Sequence, residues 1–198
     1  LLMEIGVYKA LEQTLALYSN VAVAWVGALV SDLVVNKPLG LRPQQMEFKR
    51  AHLYDINPVG VGAMTVATVI SVTAFYGLFG PAAKALSPFV ALAVAFVTAP
   101  VIAYVTDGKY YIARKPKRSW QDLQSIQCCI CEHSFEPEDM ASCPAYAGPI
   151  CSLCCSLDAR CHDLCKPHAR FQAHVMETLG DRLPKPIYAL IDSHLGHY

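Results

Sequence analysis

Three stretches without a single Asp, Glu, Lys or Arg interrupt the first half of the chain and set its organisation. Residues 1 to 12 alternate apolar positions (Ile5, Tyr8, Leu11) with Glu4, Lys9 and Glu12, the pattern of an amphipathic helix lying at an interface. From Gln13 to Ser31 the charges stop, and Leu15, Leu17, Val21, Val23, Trp25, Val26, Leu29 and Val30 carry enough apolar surface for a helix that crosses a bilayer. Asp32 closes this first span; at mid-bilayer it would cost about 2.5 to 3.5 kcal/mol, so it belongs near an interface and is read as structural. A polar loop follows, broken by Pro38, Gly40 and Pro43 and rich in Lys37, Arg42, Lys49, Arg50 and His52. The second charge-free run extends from Ile56 to Ala83, with Val59 to Phe79 as its apolar heart. Gly80-Pro81 turns the chain, and Leu86 to Val105 form a third run interrupted by Pro88 and Pro100.

The pattern changes abruptly after Val105. Lys109, Arg114, Lys115, Lys117 and Arg118 form a basic flank. This flank and the loop between spans one and two lie on the same side, because two crossings separate them; the opposite turn carries only Lys84. The positive-inside rule then puts the basic side in the cytoplasm. The whole chain is balanced, with 16 basic and 16 acidic residues, so its global charge gives no reason to expect nucleic acid as a partner. Only 16% of residues are charged, which suits a membrane protein with an appendage.

That appendage holds all nine cysteines, between Cys128 and Cys165. Cys128/Cys131, Cys151/Cys154 and Cys161/Cys165 are pairs whose spacing lets a tight turn aim two sulfurs at one ion. A reducing cytoplasm disfavours a disulfide framework, and an odd number of thiols would leave one over. Large aliphatic residues are few between Gln127 and Pro167, so a segment of this size needs a staple. The expected ligands are Cys128, Cys131, Cys151 and Cys154 for a first zinc ion, in a cross-braced order like that of RING-type fingers. Cys143, Cys161 and Cys165 would share a second ion with Cys155 or His162, and Cys129 is spare. Within Cys128/Cys129 and Cys154/Cys155 the ligating partner can swap. An iron-sulfur cluster on Cys151, Cys154, Cys161 and Cys165 is the rival, although the spacing is not that of ferredoxins; redox-switching thiols are a third reading.

The run from Ala28 to Lys37, followed by His52 to Gly60, resembles the late helices of the nucleobase-cation symporter family, which includes cytosine and hydantoin permeases. The match covers roughly residues 13 to 106, with Ser31 and Leu33 departing from the family's usual alanine and tyrosine. The resemblance implies the last three helices of a twelve-helix transporter, and no transport residue carries over. A permease-like part followed by a cytoplasmic module is also similar to symporter-type bacterial sensor histidine kinases, although no kinase box is present. The sequence opens on Leu1-Leu2-Met3, and we read it as a piece of a longer protein.

The expected architecture is therefore mainly α: three transmembrane helices, then a small cysteine-rich metal-binding module and short helices. Residues 1–106 are the membrane part, 107–126 a basic linker, 127–168 the module and 169–198 a helical connector. The expected setting is a bacterial inner membrane with the module in the cytoplasm, and the partners are the lipid bilayer, a solute ligand and a second copy joined through a missing output domain. The expected function is a sensor that couples the membrane part through the zinc module to that output, a histidine kinase. The alternatives are a transporter of nucleobase-like solutes with a regulatory zinc-binding tail, and an iron-sulfur redox sensor. No catalytic residue is expected within these residues.

Overall fold

The structure is a computed structural model that describes residues 2–115, 117, 120, 122–157, 161–171 and 173. Its contacts divide the chain into two compact units, residues 1–44 with 57–108, and residues 45–56 with 109–198. The first unit is helical throughout its core; the second is small, with short strands and turns.

In the first unit, α1 (Leu2–Ser31) is one continuous helix. The segment expected to lie separately at an interface is its first third, because neither proline nor a turn residue stands between Glu12 and the span to break it. The helix then widens over Asp32–Asn36, where the Lys37 N–H reaches back five residues to the Asp32 carbonyl at 3.2 Å. Asp32 is structural here: it accepts from Arg42 Nη1 at 2.6 Å and from Asn36 Nδ2 at 2.9 Å. The second span, α2 (Pro58–Phe75), starts on Asn57, whose Oδ1 accepts from the Val59 N–H at 2.9 Å, with Pro58 in the first turn. Its exit runs through Gly77 and Gly80, both at positive φ (89° and 91°), where a side chain would strain the turn. A short α3 (Pro81–Ala85) leads into α4 (Ser87–Val105). Three helices are thus long and apolar enough to cross a membrane: Gly6–Asn36, Pro58–Phe75 and Ser87–Val105.

Every fourth residue explains how they pack. Val59, Ala63, Ala67 and Ser71 are buried on α2, and Ser87, Ala91, Ala95, Ala99 and Ala103 on α4; Asn20, Ala24 and Ala28 do the same on α1, with Ser31 three residues further on. Each helix therefore turns a stripe of small residues inward, letting backbones approach closely where lipid offers no hydrophobic drive for association. Gly27 marks the tightest approach, since a Cβ there would lie 3.1 Å from both Ala95 Cβ and Leu92 Cδ1. The large apolar residues, among them Leu15, Trp25, Leu29, Val69, Val97 and Val101, point outward.

A polar contact crosses this interior. Pro100 has no N–H to give the Phe96 carbonyl four residues earlier, and Ser31 Oγ on α1 donates to that oxygen at 2.9 Å. A backbone group freed by proline has no water to turn to in hydrocarbon, so a neighbouring hydroxyl satisfies it.

The second unit contains two hairpins. β1 (Ile126–Gln127) pairs antiparallel with β2 (Ser134–Phe135), and β3 (Met140–Cys143) with β4 (Gly148–Cys151), after which α5 (Ser152–Leu157) begins at once. Its core is built largely of sulfur: Cys128, Cys143, Cys151, Cys155 and Cys161 are buried with Met140, Ala141, Ile150 and Ala51.

Ala51 comes from the loop between the first two spans, and it brings its neighbours with it. Arg50 Nη2 meets Asp163 Oδ2 at 2.6 Å, and Lys166 Nζ donates to the Leu53 carbonyl at 2.8 Å and to Asp55 Oδ1 at 2.7 Å. The backbone joins as well: the Ala113 N–H donates to the His52 carbonyl at 2.8 Å, and the Asp55 N–H to the Ala169 carbonyl at 3.1 Å. Residues 45–56 are thus part of the cysteine-rich fold. The basic flank contributes Lys109, Arg114, Lys115 and Lys117 to this unit, while Arg118 and the expected connector from residue 174 onward lie outside the described residues.

Candidate metal centre

Two of the three expected cysteine pairs converge. Cys128 and Cys131 sit in the turn of the first hairpin, held by the Cys128 N–H on the His133 carbonyl at 2.9 Å and the Glu132 N–H on the Cys128 carbonyl at 3.0 Å. Glu132 takes the left-handed conformation (φ 61°) that lets the turn close. The second hairpin delivers Cys151 at the end of β4, and the helix that starts there carries Cys154 in its first turn. The Cys129 N–H donates to the Pro149 carbonyl at 2.9 Å and ties the first turn to β4.

The result is a four-thiol cage. The sulfurs of Cys128, Cys131, Cys151 and Cys154 all lie within 4.8 Å of one another, and those of Cys131 and Cys151 are 3.9 Å apart. A tetrahedral ion with metal–sulfur bonds of about 2.3 Å needs sulfur–sulfur edges of about 3.8 Å. The cage therefore has nearly the dimensions of one tetrahedral tetrathiolate site. Backbone N–H groups point at its sulfurs: those of Ile130 and Cys151 reach Cys128 Sγ at 3.5 and 3.4 Å, and that of Cys154 reaches Cys151 Sγ at 3.4 Å. Such donors offset the charge of metal-bound thiolates and orient them.

The electrostatics follow. Burial pushes the Cys128 thiol up, but the N–H groups aimed at it outweigh that and hold it at about 6. Burial and the neighbouring sulfurs push Cys154 up, and burial pushes Cys151 up. The N–H groups thus favour a thiolate at Cys128, and a bound cation would favour thiolates at the other ligands by displacing their protons.

The other four expected ligands share the core without closing to the same spacing. Among the described residues, the 128/131/151/154 set is the one group whose ligand atoms all gather within 4.8 Å. Cys143, Cys155 and Cys161 are buried and Cys165 packs beside them, whereas His162 is exposed, so Cys155 and not His162 occupies the interior position. Cys129 is exposed and stands outside the four-thiol group.

No family model, curated protein or solved structure matches the chain. The cage has to be understood from its own unit, which includes an ion cluster from the interhelical loop that the sequence reading passed over. His52 Nδ1 lies 2.9 Å from Glu47 Oε2, Lys49 Nζ lies 3.3 Å from Glu47 Oε1, and the Phe48 and Lys49 N–H groups donate to that same oxygen at 3.1 and 3.0 Å. Lys49 Nζ also reaches the Glu138 carbonyl, just before β3. The available signal was the density of charge from Glu47 to Asp55 in a loop of that length, which a solvated linker does not need.

Burial pushes the Glu47 carboxyl up, but the hydrogen bonds from His52 and Lys49 and their charges prevail and lower it from 4.5 to about 2. A carboxylate depressed in the fold contributes stability that is complete above its unfolded value near 4.5 and disappears as pH falls toward 2. A carbon-13 carboxyl titration should therefore give Glu47 a midpoint near 2. The destabilisation caused by Glu47→Gln should shrink across the same window, and a midpoint near that of a free glutamate would refute the assignment.

Proposed function

We propose that the cysteine cage holds a single zinc ion that staples a small cytoplasmic module carried on three membrane spans, and that this module relays movement of the spans to the chain beyond it. The observation that carries this reading is the shared membership of the fold. The loop joining α1 to α2 and the chain leaving α4 enter the same sulfur core, through Arg50–Asp163, Lys166–Asp55 and the backbone pairing of His52 with Ala113. Two segments that emerge from different spans are thereby held in one body, which is what a relay requires.

Zinc is favoured by ligand chemistry. Four thiolates in a tetrahedron suit zinc, whereas a four-iron cluster takes one thiolate at each of four separate corners and spreads its sulfurs wider than a single ion does. The basic flank and the basic interhelical loop support a cytoplasmic location, where thiols stay reduced. The likeness of residues 28–37 and 52–60 to nucleobase-cation symporters supports a permease-like input, a solute as its signal and a kinase as the output.

Two measurements on the full chain in detergent test this. Elemental analysis should find zinc, and iron with acid-labile sulfide would replace the structural staple with a redox centre. Spin labels at Met46 and Leu157, one on the loop and one on α5, should give a single narrow distance distribution that broadens when a chelator removes the ion. A distribution that stays narrow without metal would show that the ion does not hold the loop, and the relay reading would fall.

A further inference from the structure

Four more thiols lie in the same core, unused by the cage. Cys143, Cys155 and Cys161 are 6%, 8% and 7% exposed, and Cys165 packs against them. A buried cysteine can serve as a small hydrophobe, but four in one core of this size, beside turns that carry His162, Asp163 and Lys166, is not how an apolar filler is distributed.

The local geometry sorts the eight thiols into two sets. In the second hairpin Met140 pairs with Cys151 and Cys143 with Gly148, so Cys151 and Cys143 stand an odd number of positions apart across the pairing and occupy opposite faces. On α5, Cys154 and Cys155 are adjacent and point about 100° apart. One member of each couple, Cys151 and Cys154, belongs to the cage; Cys143 and Cys155 are directed elsewhere. The third expected pair then arrives by a tight turn, with the Leu164 N–H on the Cys161 carbonyl at 3.0 Å and with His162 and Asp163 at φ 44° and 51°.

The second set has neighbours from outside the hairpin. Ala51, from the interhelical loop, is buried in the same core as Cys155. Burial pushes the Cys165 thiol up while the Arg114 charge opposes it, and Arg114 Nη1 donates to the Ser142 carbonyl at 2.8 Å, beside Cys143. A cation close to a thiolate ligand is one of the outer contacts that such sites use.

We infer that Cys143, Cys155, Cys161 and Cys165 form a second binding site for a thiophilic divalent cation such as zinc, on the opposite face of the β3–β4 hairpin from the cage. Their sulfurs are more widely spaced than those of the cage, so the ion draws them together as it binds. The site does not depend on what occupies the cage, but it adds a role: Ala51 of the interhelical loop shares the core with Cys155, so this ion would add to the first ion's hold on that loop.

Cobalt supplies the test, because tetrahedral cobalt–thiolate centres absorb visible light. Metal-free full-length chain in detergent, titrated with cobalt, should reach its endpoint at two equivalents. The Cys155→Ser/Cys161→Ser double variant should stop at one. An endpoint at one equivalent for the unaltered chain would overturn the second site and leave the first in place, whereas no binding at all would remove both. Cys165→His keeps a ligand that such sites accept and should retain two equivalents while altering the spectrum of one. Two equivalents with an unaltered spectrum would show that Cys165 is not a ligand.

Discussion

Replacing Cys151 with alanine should unfold the cysteine-rich unit, with a loss far beyond that of an ordinary buried residue of its size. Cys151 is buried, its sulfur is 3.9 Å from that of Cys131, and its own N–H donates to Cys128 Sγ. Truncating a small core side chain typically costs about 1 to 3 kcal/mol. Losing a structural ion forfeits apparent binding energy of about 10 to 16 kcal/mol, as large as the whole stability of a typical domain. Amide hydrogen exchange should therefore become fast across both hairpins, and residues 45–56 should lose protection with them because their partners are gone. Cys129→Ala is the control: that thiol is exposed and outside the cage, so its removal should change stability by less than about 0.5 kcal/mol. Retained protection in the Cys151 variant would mean that the apolar part of this core suffices without metal.

The second large effect is an asymmetric one. Lys166 is 1% exposed, and its ammonium has the Leu53 carbonyl and Asp55 as partners; Asp55 remains in partial contact with solvent and also accepts from the Phe171 N–H at 3.0 Å. Asp55→Ala strands a buried cation, which typically costs about 3 to 5 kcal/mol. Lys166→Met leaves a carboxylate that water can reach and puts an apolar chain of similar length in the interior, so it should cost roughly 1 to 2 kcal/mol. Combining the two should recover much of the Asp55→Ala loss, since the uncompensated charge is then absent. Thermal unfolding of the three variants in one detergent gives the cycle. Equal losses for both single variants, adding up in the double, would show that the pair is not a buried unit.

The three spans were legible because hydrocarbon imposes a long charge-free run on any helix that crosses it. Their packing was less so: the stripes of Ala63/Ala67/Ser71 and Ala91/Ala95/Ala99 are written at a spacing of four, but counting apolar residues treats alanine as filler. The cage was readable from two cysteine pairs, because a C-x2-C turn presets the distance between its sulfurs. The part the loop plays in the cysteine-rich unit was not legible, for a physical reason. Its partners lie more than a hundred residues away, as in Arg50–Asp163 and Asp55–Lys166, and a charged segment with such partners has the same local composition as a solvated linker. The absence of an interruption in α1 likewise shows that a few charges at a helix start do not make a boundary.

The bond from Ser31 to the Phe96 carbonyl makes the depth of one helix a condition for the shape of another. Helix α4 is easiest to bend at Pro100, where its ladder already lacks a rung. The oxygen left over is silenced by a hydroxyl that belongs to α1. Should α1 slide by one turn, about 5.4 Å, the hydroxyl would leave and the carbonyl would face hydrocarbon alone, at a cost of up to about 2 kcal/mol. Vertical travel of the first span and flexing of the third are therefore not independent degrees of freedom: a shift of one is registered as curvature in the other.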